Sequence, residues 1–239
     1  MQAIQIRSYG GLDVLKPTTL PDPHPGVDEA LVRIKASAVN PLDGIVRMGD
    51  FPIAKEPPLI LGEEATGIVE QDGPGFKAGE GVIVYGGGLG VFRDGTWSEL
   101  TAVPASSLRR LPDGMSFEEG AALTNVGVTA YGALRTAEFK DGETVVVLGA
   151  TGGVGSAGVQ IAKAIGCRVL AIVSTARKAE RLQDLGADHV LALSDGPLAE
   201  QVQELTEGKG ADVVLDTVGG DKDIIIPFGF LSMLIQAMP

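Results

Sequence analysis

The sequence predicts an α/β protein built from two unlike parts. A β-rich, barrel-like N-terminal domain is followed by a doubly wound parallel sheet with helices on its faces. Three observations carry this. Residues 1–115 are short β-like runs cut by Gly- and Pro-rich turns. From Thr144 onward, strand-like and helix-like segments alternate, as in right-handed βαβ crossovers. At the join, Val145-Val146-Val147-Leu148 is an unbroken apolar run, the mark of a strand buried on both faces.

Met1–Ile6 alternates like a strand. Ala30–Ala38, with Val32, Ile34, Ala36 and Ala38 on one face, is the next clear run, followed by Thr66–Glu70, Gly81–Tyr85 and Trp97–Val103. Gly10-Gly11, Pro21–Pro25, Asp72-Gly73-Pro74-Gly75 and Asp94-Gly95 separate them as turns. Ser116 and Glu119 have capping-box spacing and open a helix over Phe117–Leu123. A second helical stretch covers Val126–Glu138. The expected domains are therefore 1–125 and 126–239.

A glycine-rich turn follows the central strand, with Gly149, Gly152 and Gly155 spaced G-x-x-G-x-x-G. The helix after it, Val154–Ile165, places Val154, Ala157, Gly158, Ile161, Ala162 and Ile165 on one face. Strand, glycine turn and helix together form a setting in which a pyrophosphate sits on a helix N-terminus. Backbone N–H groups point at the phosphates, and a Cβ would block their approach. Strand Arg168–Val173, helix Arg177–Leu185, strand His189–Leu193, helix Leu198–Glu207 and strand Asp212–Asp216 complete the alternation. The last nineteen residues, Asp221–Pro239, are apolar without a clear period. They read either as a final helix packed on the sheet or as a chain that stops early. The second reading leaves the doubly wound sheet incomplete, since such a sheet usually has six strands and four are evident.

Composition narrows the function. Of 239 residues, 44% are hydrophobic and 21% charged, as in a globular protein, and no run approaches a transmembrane length. The net charge of −12 argues against nucleic acid or an anionic membrane as partner. The first residues lack the charged and apolar regions of a secretory leader, and the expected compartment is the cytoplasm. A single cysteine, Cys167, excludes a multi-cysteine zinc site and reads as a small buried hydrophobe. His24, in a Pro-rich turn, and His189, opening a strand, read as surface or capping residues.

Cofactor choice is read from the end of the strand after the glycine turn, Val173-Ser174-Thr175-Ala176-Arg177-Lys178. NAD sites place a carboxylate there for the ribose 2′-OH. Here there is none. Ser174 can donate to a 2′-phosphate, and Arg177 or Lys178 can pair with it. That favours NADP(H). The alternative is that both cations merely solvate the first turn of a helix, although cations oppose the macrodipole there.

Five motifs in order then resemble one family. They are Ala38-Val39-Asn40-Pro41-Leu42-Asp43 with Arg47 and Gly49; Gly62-Glu63-Glu64-Ala65-Thr66-Gly67; Thr129-Ala130-Tyr131-Gly132-Ala133-Leu134; the glycine turn; and Leu185-Gly186-Ala187-Asp188-His189-Val190. Over about residues 1–220 the chain resembles the medium-chain dehydrogenase/reductase superfamily, in its zinc-free quinone oxidoreductase (zeta-crystallin-like) branch. The resemblance implies a GroES-like catalytic domain, a Rossmann domain and an active site in the cleft between them. The family forms homodimers, and an early stop would remove the dimer edge. It would also leave a weakly active or inactive NADPH-binding relative, with an exposed sheet edge.

Zinc-dependent relatives place ligands at positions that correspond to Asn40, Glu63 and Asn125. Two amides and a carboxylate make a poor zinc set, so no metal is expected. The chemistry left is hydride transfer from a reduced nicotinamide to a quinone or an α,β-unsaturated carbonyl. The developing enolate needs a hydrogen-bond donor or a proton from water. By resemblance, Asn40 faces nicotinamide and substrate, and Thr129 contacts the nicotinamide ribose or ring. The expected cofactor contacts are Asn40, Thr129, Thr151, Gly152, Gly153, Val154, Gly155, Ser174, Arg177, Lys178 and Val218. Asp43 and Arg47 read as a structural pair, and Glu63 and Glu64 stay ambiguous. Phe51 stands where relatives often carry a tyrosine. Tyr131 reads as a core residue of its helix. Trp97 and Gly86–Gly90 read as a loop pinned by an aromatic or, with Phe92, as the wall of an apolar pocket.

Overall fold

The computed structural model describes residues 1–175, 180–219 and 234–236. They fall in two units, Met1–Asn125 and the residues from Val126 on.

In the first unit the strands are β1 (Gln2–Ile6), β2 (Lys16–Thr19), β3 (Glu29–Ser37), β4 (Leu59–Ile60), β5 (Glu64–Val69), β6 (Gly81–Tyr85), β7 (Leu100–Pro104) and β8 (Leu108–Arg110), with helix α1 (Pro41–Met48) between β3 and β4. They form two antiparallel sheets, ordered β2-β1-β4 and β7-β3-β5-β6-β8. Alternation on β3 and β6 buries Ala30, Val32, Val82 and Val84 against Ala65, Val69, Val103 and Leu108. The run expected at Trp97–Val103 joins this sheet only from Leu100. Before that, the Thr96 and Trp97 N–H groups bond the carbonyls of Gly62 and Leu61 instead. Helix α1 was not anticipated, although its signals are present. Asn40 is the N-cap, Pro41 stands at N1, and Gly49 ends the helix at φ +84.

Helix α2 (Phe117–Thr136) is continuous where two stretches were expected. Its capping box is complete. Ser116 N–H donates to Glu119 Oε2 at 2.8 Å, and Glu119 N–H donates to Ser116 Oγ at 3.2 Å.

The second unit contains β9 (Thr144–Leu148), α3 (Gly153–Ile165), β10 (Arg168–Val173), α4 (Glu180–Asp184), β11 (His189–Ala192), α5 (Leu198–Leu205), β12 (Val213–Asp216) and β13 (Leu234–Gln236). The sheet is parallel, in the order β11-β10-β9-β12-β13. Strand β9 is central and buried on both faces. Val145 and Val147 pack with Val159 and Ala162 of α3, and Val146 and Leu148 pack with Leu198 and Val202 of α5. The chain leaves β9 towards β10 on one side and returns through β12 on the other, so the end of β9 is the point where strand order reverses. The face of α3 is rotated from the expected one. Gly155, Ala157, Gly158, Val159 and Ala162 are buried, and Ile165 is exposed. Glycines at 155 and 158 let the helix approach the sheet so closely that its buried stripe centres on them.

Of the apolar C-terminal stretch only 234–236 lies among the described residues, and the described sheet stays one strand short of the usual six, as the second reading expects. Leu234–Gln236 pairs in parallel with Val214–Asp216, so the described sheet has five strands rather than four. Among the described residues no helix is long and apolar enough to cross a membrane.

Ser116→Ala should remove one capping bond and lower stability by about 1 kcal/mol. Chemical denaturation checks this, and an unchanged midpoint would show that the box contributes nothing.

Candidate functional site

Two sets of residues stand out, one in each unit. In the first, the turn before β5 is held by close backbone approach. Gly62 sits at φ +99, and a Cβ there would strike the Thr96 hydroxyl and the Trp97 ring. Trp97 is itself anchored, its Nε1–H donating to the Ala38 carbonyl at 3.0 Å. It packs with Ile6, Val46, Leu59 and Leu61, as does Phe51, whereas Phe92 is exposed. The aromatic pin is therefore the reading the structure bears out for Trp97.

The clamped turn delivers Glu63 and Glu64 into a cluster of polar groups. Glu64 is buried at 1% exposure and accepts two bonds, from Asn40 Nδ2 at 2.9 Å and from the Asn125 backbone N–H at 2.6 Å. Asn125 Nδ2 donates to Glu63 Oε1 at 3.0 Å, and its Oδ1 accepts from the Tyr85 hydroxyl at 3.1 Å. Asp43 is buried and accepts from the N–H groups of Asn40 at 2.7 Å and Gly62 at 3.0 Å. Three carboxyls thus share the cluster, and none of the bonds just described comes from a cation. Burial pushes Glu63 up to about 7, with the charges of Asp43 and Glu64 adding to the effect. Burial also raises Asp43 and Glu64 against the opposing pull of their hydrogen bonds, and raises Tyr85, beside the two glutamates.

The expected Asp43–Arg47 pair does not form. Asp43 is the N3 residue of α1, and its carboxyl turns back to the N-cap while Arg47 lies one turn onward. The buried Nη1 of Arg47 has no partner among the described residues.

The second set lies at the carboxyl end of the parallel sheet. Gly149 leaves β9 at φ +66, where a Cβ would meet the Thr217 hydroxyl and Val218, so the segment after β12 closes against the turn. Gly152 caps α3, and a Cβ on Gly155 would collide with the Gly149 carbonyl. Gly149 and Gly155 therefore let the turn close, exposed Gly152 and Gly153 leave the helix N-terminus bare of side-chain carbon, and its first N–H groups have no partner within the helix. Thr151, Gly152 and Gly153 are exposed, Val154 is half-buried and Gly155 is buried. Val218 and Ser174, past the ends of β12 and β10, are exposed at the same end of the sheet. Val126 of α2 touches the Cβ position of Gly153, and half-buried Thr129 is one helical turn further along the same face. Arg177 and Lys178 lie outside the described residues.

Tyr131 is 48% exposed rather than part of the core. The buried stripe of α2 runs through Ala130 and Leu134, about 100° round the helix from it. Cys167 is buried, and desolvation lifts its thiol to about 11, as suits an inert packing residue. His24 is exposed, and His189 Nε2 lies 3.2 Å from Arg168 Nη2. Sequence reasoning missed Tyr85 altogether. The signal available was the adjacent pair Glu63-Glu64 at the mouth of an apolar strand, which demands buried partners.

Residues 26–113 match the alcohol dehydrogenase GroES-like domain, and residues 153–224 match the zinc-binding dehydrogenase family. The quinone oxidoreductase of Pseudomonas aeruginosa is 38% identical over 237 residues, 95% of this chain and 71% of that protein. A crystal structure of Pseudomonas syringae quinone oxidoreductase superposes with a TM-score of 0.83 at 37% identity, covering 93% of this chain and 68% of that one. The Escherichia coli quinone oxidoreductase complexed with NADPH gives 0.81 at 34% identity, covering 92% and 67%. The second family's description names zinc, and the residues at the corresponding positions do not fit it. Asn40 and Asn125 spend their amides on Glu64, Glu63 and Tyr85, and the set lacks the thiolates and imidazoles zinc prefers. The glycine turn, by contrast, fits a dinucleotide. With two domain families in order, this sheet order and a relative of this identity, the chain belongs to the quinone oxidoreductase branch of the medium-chain dehydrogenase/reductase superfamily.

Proposed function

We propose that the chain is an NADPH-dependent oxidoreductase that delivers hydride to a quinone or an α,β-unsaturated carbonyl without a metal ion. The observation that carries this reading is the bare helix N-terminus at the strand-order reversal, where Gly152 and Gly153 are exposed without a side chain and Gly155 lets the turn pack directly on the helix. Bound there, a reduced nicotinamide dinucleotide supplies the hydride. Thr151, Gly152, Gly153, Val154 and Gly155 hold the pyrophosphate by backbone N–H groups, and Val218 closes over the turn. Thr129 contacts the nicotinamide ribose or ring. Asn40, fixed through Glu64, orients the nicotinamide and the acceptor.

The strand end supports NADPH over NADH. Val173-Ser174-Thr175 offers no carboxylate to repel a 2′-phosphate, Ser174 is exposed to receive one, and Arg177 and Lys178 follow in sequence. The metal-free reading is supported by the donor set at positions 40, 63 and 125, and it requires an acceptor already activated by conjugation.

Fluorescence titration with NADPH, followed by NADPH oxidation with a panel of quinones and enones, tests the reading. Tight binding with turnover of at least one acceptor is expected, and elemental analysis should find no stoichiometric zinc. Tight binding without turnover would favour a nucleotide-binding protein that is not a reductase, and one zinc per chain would overturn the metal claim. Replacing Arg177 and Lys178 together by Ala should weaken NADPH binding at least tenfold more than NADH binding, about 1.4 kcal/mol of selectivity. Equal losses would remove the phosphate role.

A further inference from the structure

We propose that Glu63, through its oxygen Oε2, donates the proton that completes reduction of the acceptor, standing where zinc-dependent relatives use a metal. The inference rests on the reductase reading above and adds to it the group that meets the developing charge.

Hydrogen-bond bookkeeping assigns the proton. Asn125 Oδ1 accepts from Tyr85, so the Asn125 nitrogen is the end that faces Glu63. Glu63 Oε1 must therefore accept. If the carboxyl is neutral, Oε1 is its carbonyl oxygen and the proton sits on Oε2. Tyr85 has one hydrogen and spends it on Asn125, so it cannot donate to Glu63. Oε2 makes no hydrogen bond among the described residues, and Glu63 is half-buried rather than sealed in the core.

The other two carboxyls cannot take this role. Glu64 accepts at both oxygens, from Asn40 and from Asn125 N–H, and Asp43 accepts at both from Asn40 and Gly62. Each is satisfied as an anion. Of the three, only Glu63 has an oxygen to spare, and it is the one on which a further negative charge costs most. The titratable groups around it are Asp43 from α1, Glu64 from β5 and Tyr85 from β6, while α2 contributes the neutral Asn125. No Lys, Arg or His is bonded to these groups among the described residues. A carboxylic acid that burial and then the neighbouring carboxyls lift to about 7 keeps its proton through the mildly acidic range and is a competent donor there.

The step balances. The acceptor gains a hydride at carbon, and its displaced π-electron pair moves onto the carbonyl oxygen. The Glu63 Oε2–H bond breaks as an O–H bond forms on that oxygen. A neutral enol leaves, which in the case of a quinone is the keto tautomer of the hydroquinone and loses its extra C–H proton to water as the second oxygen gains one, and the Glu63 carboxylate is reprotonated from water.

Glu63→Gln keeps the acceptor for Asn125 and removes the transferable proton. Its kcat for quinone or enone reduction at pH 6.5 should fall about 100-fold, with NADPH affinity unchanged. Wild-type kcat should fall as pH rises through 7, and that break should be absent in the variant. Glu63→Asp should be slowed but keep the break. A second readout needs no cofactor. The folded pKa of Glu63 lies above its unfolded value, so its contribution to stability is present at low pH and is lost as pH rises through about 7. The melting temperature of Glu63→Gln relative to wild type should therefore rise between pH 5 and pH 8. A variant with wild-type kcat and the same pH break overturns the donor role, and so does a melting difference independent of pH. Absence of turnover in the wild type sinks the reductase reading and the donor role with it.

Discussion

A carboxylate buried without a cation bonded to it, that of Glu64, sets the arrangement of the first unit's polar residues. An ion so placed is tolerated only if its lone pairs are answered by donors. Glu64 recruits one from the loop before α1, Asn40, and one from the backbone of α2, Asn125. The same two residues are thereby fixed in orientation, and Asn125 passes the constraint on to Glu63 and Tyr85. Leaving either donor unmet would cost about 1–3 kcal/mol per buried group, so the network is held as a unit rather than as separate contacts.

The two candidate sites are built by opposite means. The first relies on side chains held by a clamped turn, with Gly62 pressed against Thr96 and Trp97. The second relies on main chain. At its glycine turn the polarity comes from N–H groups at a helix start.

Much of this was legible in sequence. The β9–turn–α3 unit was, because four apolar residues, three glycines and a helical period agree at every level. So were β3, β6 and β10, where alternation or an apolar run is bounded by turn residues. The misses have physical causes. Helix α1 was hidden because Gly44 interrupts a short segment whose caps carry the signal. Asp43 and Arg47 read as a structural pair, but N3 geometry turned Asp43 towards the backbone. The face of α3 was misjudged because Gly155 counts as a gap in a hydrophobic pattern, whereas in the structure it is a point of close packing. Tyr85 was invisible because its partner is forty residues away in the chain, and no local pattern joins them.

The clamp on the turn at Gly62 has an evolutionary corollary. Backbone pinned by its own close contacts does not need the side chains it presents in order to stay in place. The side chain at position 63 can then be exchanged by point substitution on an unmoved main chain. A scaffold of this kind separates the inheritance of shape from the inheritance of reactivity.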